Sequence, residues 1–252
     1  MKLTFLGTCH GHPEKNRDYT SIAIETCGRV YLLDAGAAVA NKMLDNDIAI
    51  ADLKSVFITH IHGDHVNGLL RLVDVLGWAS RFYDGASVDY YLPEDRGINE
   101  IKELISVVKL PFSEEKNKFH VYPENFVYDD GFLKLTVIPN AHLRERSYPS
   151  YSFLVEAEGK RILFTSDMSQ NLKYDDFPSV AKSEEFDLLI TELAHFDFDV
   201  LCPHIMQCKT KMLYITHVKF PEIRTPLIEK ANLSGEFPFP IFSANDGDVV
   251  EL

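Results

Sequence analysis

The sequence predicts an α/β (α+β) protein, two packed β-sheets with helices on their outer sides, and three observations point to it. A β-rich stretch followed by helices occurs twice along the chain. The continuous apolar runs 187–191 and 212–216 fit strands buried on both faces. No linker or low-complexity segment divides the 252 residues, which make one domain (1–252) or two intimately packed halves with a large core.

In order, residues 2–6 form a strand that ends in a turn-rich loop from Gly7 to Tyr19. Residues 20–26 and 29–33 read as a hairpin turning at Cys27-Gly28. Asp34-Ala35-Gly36 ends it, and a helix follows over 37–44. Strand 55–59 runs into Thr59-His60-Ile61-His62-Gly63-Asp64-His65, and a helix is expected over 65–77. A strand is expected at 88–92. The helix at 94–108 should place Ile98, Ile101, Leu104, Ile105 and Val108 on one face. Short strands at 119–122 and 126–128 close the stretch 80–130, which is expected to wall one side of a pocket. Strands then recur at 133–138, 151–157 and 160–164, the last two joined by Glu158-Gly159. Helices near 177–185, 198–208 and 221–232 alternate with the apolar strands. Strands at 241–243 and 249–251 close the chain about Asn245-Asp246-Gly247-Asp248.

Composition narrows the function classes. No run of about 18 apolar residues is present, and the N-terminus enters a strand at once, so a cytoplasmic protein that does not cross a membrane is expected. The four cysteines (Cys9, Cys27, Cys202, Cys208) have no CxxC spacing, which suggests neither a disulfide framework nor a thiolate zinc site. A formal net charge of −13 disfavours long nucleic acid, because an acidic surface repels a polyanion. A small anionic substrate held by metal ions remains compatible with that charge, with or without a second copy of the chain as a homodimer.

The chemistry gathers at strand ends. His60 and His62 are two apart in extended chain and can point to one side, while Asp64 and His65 open a helix, where a carboxylate can also cap free N–H groups. Later strands end in His142, Asp167 and His217. If these strands share one edge, five histidines and two aspartates meet at one cleft. That is enough for two metal ions with one aspartate between them.

This ordered set resembles the metallo-β-lactamase superfamily, whose signature is HxHxDH followed by a lone His, an Asp and a final His. The resemblance runs from Gly7 to the Asp246-Gly247 turn and implies a four-layer αββα sandwich. Carried over, it implies that His60, His62 and His142 hold one metal and Asp64, His65 and His217 a second, with Asp167 bridging. Asp34 would orient a ligand. Asp at position 167, where lactam-cleaving members usually have Cys, argues against antibiotic hydrolysis. Zinc is the default metal, with manganese or iron as alternatives. Phe5-Leu6-Gly7-Thr8, Arg17-Asp18-Tyr19-Thr20-Ser21 and Leu33-Asp34-Ala35-Gly36 resemble the ribonuclease Z-like branch, which includes tRNA nucleases and cyclic phosphodiesterases. Only residues 171–187 separate the Asp167 region from the next strand, too few for a tRNA-gripping arm. The branch's His-Glu-Ala-Thr motif reads Thr191-Glu192-Leu193-Ala194-His195 here, displacing the histidine.

The resemblance therefore implies a binuclear metal-dependent hydrolase, foremost a phosphodiesterase using a metal-bridging hydroxide on a small or cyclic phosphodiester. A lactone or thioester hydrolase on the same site is the alternative, and a metal-binding redox or sensor protein is less favoured. Asp64 and Asp167 would be catalytic as well as ligands. His195 and His10 are candidate proton donors, and Arg17 and His12 candidate substrate-binding residues. For each of these four the bland alternative is a salt bridge or a solvated side chain. Glu192 either supports a ligand or caps a helix.

Overall fold

The computed structural model describes residues 1–78 and 86–252. Residues 79–85, the start of the stretch expected to wall a pocket, lie outside the described residues. The chain divides into two compact units, residues 1–124 with 246–251, and residues 125–245 with Leu252.

The first unit contains β1 (Lys2–Gly7), β2 (Ser21–Thr26), β3 (Arg29–Leu33), β4 (Leu53–Phe57), β5 (Val88–Leu92) and β6 (Asn117–Val121). Its helices are α1 (Val39–Asp45), α2 (Gly63–Val66), α3 (Leu69–Trp78) and α4 (Asp95–Val107). With the C-terminal strand Val249–Glu251, these strands make a seven-stranded sheet in the order C-terminal strand, β1 to β6. The pairings are antiparallel up to β3 and parallel from β3 to β6. The β2–β3 turn has Cys27 and Gly28 at φ 49° and 71°. Two positive φ values in a two-residue loop match the twist of the flanking strands.

One face of this sheet (Leu32, Val56, Tyr90 and Leu92) packs with Met43 of α1, Leu72 and Leu76 of α3, and Ile98 and Ile105 of α4. On α4 the buried stripe is narrower than the sequence suggests. Leu104 and Val108 are 43% and 50% exposed, because a stripe through 98, 101 and 105 leaves them beyond its edge. The helix expected over 65–77 is broken at Asn67-Gly68. There the Gly68 amide donates to Ala35 O (2.9 Å), a partner outside the helix.

The second unit contains β7 (Val127–Asp129), β8 (Lys134–Pro139), β9 (Tyr151–Ala157), β10 (Lys160–Phe164), β11 (Glu185–Phe186), β12 (Leu188–Leu193), β13 (Lys209–Thr210), β14 (Leu213–Val218) and β15 (Ile241–Ser243). Its helices are α5 (Val180–Ser183), α6 (Phe198–Ile205) and α7 (Pro221–Ser234). A second seven-stranded sheet has the order β15-β14-β12-β10-β9-β8-β7, and β11 with β13 forms a small parallel pair. Here too an antiparallel half, β7 to β10, continues into a parallel half through β12, β14 and β15. Leu163, Leu189, Leu213 and Ile241 pack with Leu201 and Ile205 of α6 and Ile228 of α7.

The repeated pattern in the sequence thus corresponds to two sheets with one strand plan. The strands ending near the candidate residues do not all share one edge, however. β4 belongs to the first sheet, and β8, β10 and β14 to the second. Among the described residues no helix is long and apolar enough to cross a membrane.

Candidate metal centre

On the first unit, the donors follow β4, at the C-terminal end of the parallel half-sheet. His60 and His65 are 1% and 0% exposed. The Nε2 of His60 lies 3.1 Å from the Nδ1 of His62, and the rings of His60 and His65 have centroids 4.1 Å apart. The Asp64 carboxylate reaches to 3.6 Å from His65 Nε2. No side-chain hydrogen bond from the N-cap residue, His62, caps α2.

Asp34, fully buried at the end of β3, organises this set. His65 Nδ1 donates to Asp34 Oδ2 at 2.7 Å. Thr59 donates to the same carboxylate through its backbone N–H (2.8 Å) and its hydroxyl (2.9 Å). The hydroxyl proton being spent, Thr59 Oγ1 accepts from His60 Nδ1 at 3.1 Å. Both histidines therefore keep their Nε2 lone pairs. Burial pushes the Asp34 carboxyl upward, and the His65 and Thr59 contacts pull it back. Asp34 itself sits at φ 60°, a left-handed conformation that Asp tolerates better than most residues.

On the second unit the centre is Asp167, 2% exposed, at the end of β10. Its Oδ2 lies 3.3 Å from His217 Nε2, 3.8 Å from His142 Nε2 and 3.9 Å from His195 Nδ1. These residues follow β14, β8 and β12, whose ends emerge at one edge because all run the same way. His142 Nδ1 donates to Met168 O (3.1 Å), which leaves Nε2 as its lone-pair atom. Burial lowers the His142 pKa, against the opposing pull of Asp167, and favours the neutral ring that a metal needs. Ser166 and His217 occupy the left-handed region (φ 53° and 50°), strain of the kind that concentrates at functional sites.

Glu192 buries its carboxylate (1% exposed) in this unit. It accepts from Met168 N (3.1 Å), Ala194 N (2.6 Å), His195 N (3.0 Å) and His195 Nδ1 (2.9 Å). One side chain thereby ties the segment after Asp167 to His195. It supports site residues rather than a helix end. His195, four places from where the branch's motif would have it, still arrives beside Asp167, its ring 4.6 Å from that of His142.

The other candidates are placed differently. The loop carrying His10 and His12 runs against Asp64, since a Cβ on Gly11 would lie 3.4 Å from Asp64 Oδ2. His10 accepts from His12 N at Nδ1 (3.2 Å) and faces Glu14 through Nε2 (3.1 Å). His12 is exposed. Arg17 is spent on structure: it donates to Thr8 Oγ1 (3.0 Å), Thr8 O (2.9 Å) and Glu14 (3.2 Å), the salt-bridge alternative rather than a phosphate clamp. Burial pushes the Cys9 thiol up to about 11 and Cys208 up to about 12, so neither is a ready thiolate ligand.

Asn140 and Asp176 carry structural roles that the sequence does not flag. Asn140 donates to Asp167 O (3.1 Å) and accepts from His142 N (3.2 Å). Asp176 accepts from Ala141 N and Ser169 N (3.0 and 2.8 Å). Both bind across 26 or more residues of sequence or link loops, and no local pattern announces them.

The donors suit a divalent cation. The 3.1 Å between His60 Nε2 and His62 Nδ1 is the spacing of two ligand atoms each about 2.0–2.1 Å from one ion. Asp167, His195 and His217 also bring one ligand atom each within 4.8 Å of one another. The proton that His195 Nδ1 gives to Glu192 removes that nitrogen from ligation.

Comparison with known proteins identifies the fold and the family. The chain is 30% identical over 175 residues to a Ribonuclease Z of Synechocystis sp., covering 68% of this chain but only 51% of that protein. Among solved structures it resembles the metallo-β-lactamase fold protein YhfI from Bacillus subtilis, with TM-score 0.78 and 19% identity over 100% and 99% of the two chains. A diphosphatase of the PhnP family matches at TM-score 0.72 and 19% identity, over 100% and 97%. The fold is thus the metallo-β-lactamase fold. Residues 1–219 match the family described as Anti-Pycsar protein Apyc1. The chain belongs to that family and has the metallo-β-lactamase fold.

Proposed function

We propose that the chain, residues 1–252 acting as one domain, is a metal-dependent hydrolase of small or cyclic phosphodiesters. The observation that carries this is the three-histidine surround of Asp167, at one edge of the second sheet, in a member of this family. The relatives named Ribonuclease Z and the PhnP-family diphosphatase support phosphorus over carbonyl chemistry.

We assign His60, His62 and His142 to one divalent ion and Asp64, His65 and His217 to a second, with Asp167 shared. The order of the motif supports this assignment. Zinc suits the donors best, and manganese or iron also fit them. Such ions, when bound, polarise phosphoryl oxygens and acidify water.

The remaining work belongs to side chains. Asp34, Thr59 and the Met168 carbonyl hold ring nitrogens in one tautomer. His195 is our choice of proton donor to the departing oxygen. Glu192 accepts its Nδ1–H and stabilises the imidazolium that forms when Nε2 is also protonated. His10, closed against Glu14 and the His12 amide, is the weaker choice. The Ribonuclease Z relatives weigh against excluding RNA on net charge alone; the charge of −13 still favours a small substrate.

The test is hydrolysis by zinc- or manganese-loaded protein of bis(p-nitrophenyl) phosphate, a lactone and a thioester, side by side. Metal-dependent cleavage of the diester is expected. Turnover of only the carbonyl substrates would overturn the substrate class.

A further inference from the structure

We propose that Arg144 and Arg146, on the loop after His142, dock the negatively charged part of the substrate. This rests on the phosphodiester reading above. In a protein of net charge −13, a local cation beside the metals would add to their pull on an anionic diester against the long-range field.

Most arginines cannot serve. Arg17, Arg71, Arg96, Arg161 and Arg224 each face a carboxylate. Arg146 is exposed, and among the described residues its guanidinium has no ion pair or hydrogen bond. Its natural partner would be the adjacent Glu145, but Glu145 is taken. Lys173 pairs with it and Tyr174 Oη donates to it at 3.2 Å, contacts that hold its carboxyl below the usual range. Arg144 lies over the Tyr174 ring, 4.8 Å from its centroid, an interaction that leaves guanidinium N–H groups available. On the facing loop, the Asp176 carboxylate is engaged by Ser169 and Ala141.

The loop is built to hold these groups near the site. Leu143 is buried, and it accepts from Arg146 N (3.0 Å) and Tyr148 N (3.4 Å), while Arg144 N donates to Ala141 O (3.2 Å). Such tight turns advance about 2 Å per residue, so about 8 Å of backbone separates His142 from Arg146. Two guanidinium forks on a fastened loop suit the paired oxygens of a phosphodiester better than mobile lysines would.

The test is calorimetric binding of diphenyl phosphate to the zinc-loaded protein, with R144Q/R146Q and R144K/R146K compared at low and high salt. The Gln pair should weaken binding about tenfold and flatten its salt dependence, the Lys pair should keep part of the affinity, and metal content should stay unchanged. Unchanged affinity in the Gln pair, or loss only together with loss of metal, overturns the docking site. If the parent cleaves no diester yet its affinity for diphenyl phosphate still falls in the Gln pair, the docking site stands and the phosphodiesterase reading fails.

Discussion

One buried carboxylate, Asp34, decides how two histidines on the first unit present themselves. It takes the Nδ1 proton of His65 directly and that of His60 through Thr59, so both rings turn Nε2 outward. Replacing it with Ala leaves a buried imidazole and a buried hydroxyl without their acceptor. Asp34→Ala should therefore lower metal affinity about 10–100-fold, read by titration with a metal indicator, while circular dichroism stays close to the parent. His62→Ala and Asp64→Ala should lower bound metal further and abolish turnover with the fold retained; full activity in either would overturn the metal assignment. His142 adds a pH dependence of known sign. Burial lowers its pKa, so the fold favours the neutral ring. The stability that preference contributes is complete above the ordinary value of about 6.5 and declines on acidification. The residue types and spacing of the donors were legible from sequence, because ligand chemistry is local. Asp34 as an orienter came only from the resemblance, and the mediating Thr59 hydroxyl appears only when residues 25 apart meet.

Elements followed their sequence cues wherever the cue was local. The hairpin turns at Cys27-Gly28 and Glu158-Gly159 formed with positive φ at both positions of each. Period-two and apolar runs became strands. The helix expected near 177–185 shrinks to Val180–Ser183, with Glu185–Phe186 already a strand, and the continuous helix through Asn67-Gly68 fails because of a close approach. A Cβ on Gly68 would fall 2.2 Å from Gly36 O and 2.7 Å from Val39 Cγ1. Gly68→Ala should thus force the α2–α3 junction away from the segment after β3, at a cost of about 1–3 kcal/mol in urea unfolding. An alanine there of parent stability would show that the junction has room to relax.

At the scale of the molecule, each unit repeats an antiparallel half-sheet that continues into a parallel one, and the candidate donors follow the carboxyl ends of β4 in one unit and of the like-directed β8, β10, β12 and β14 in the other. Helices cover one face of each sheet, and the loops at the strand ends are free to carry chemistry. The ions proposed above should stabilise the fold on binding. Chelation should lower the melting temperature by about 5–10 °C, the equivalent of about 2.7 kcal/mol for ligand at 100 times its dissociation constant. Re-addition of zinc should restore both the melting temperature and turnover, and a melting curve indifferent to chelator would contradict resident ions.

The sequence by itself determined the strand and turn positions, the net negative charge and the candidate donor residues, since periodicity, turn chemistry and ligand type are written in neighbouring residues. Tertiary structure alone decided that β4 and β8 belong to different sheets, and that Glu192 rather than its displaced motif brings His195 to Asp167. It also left Arg146 uncompensated while Glu145 is held by Lys173 and Tyr174. These outcomes depend on contacts between residues remote in the chain, such as Met168 with Glu192 and Lys173 with Glu145, whose partners are chosen by sheet order and loop packing.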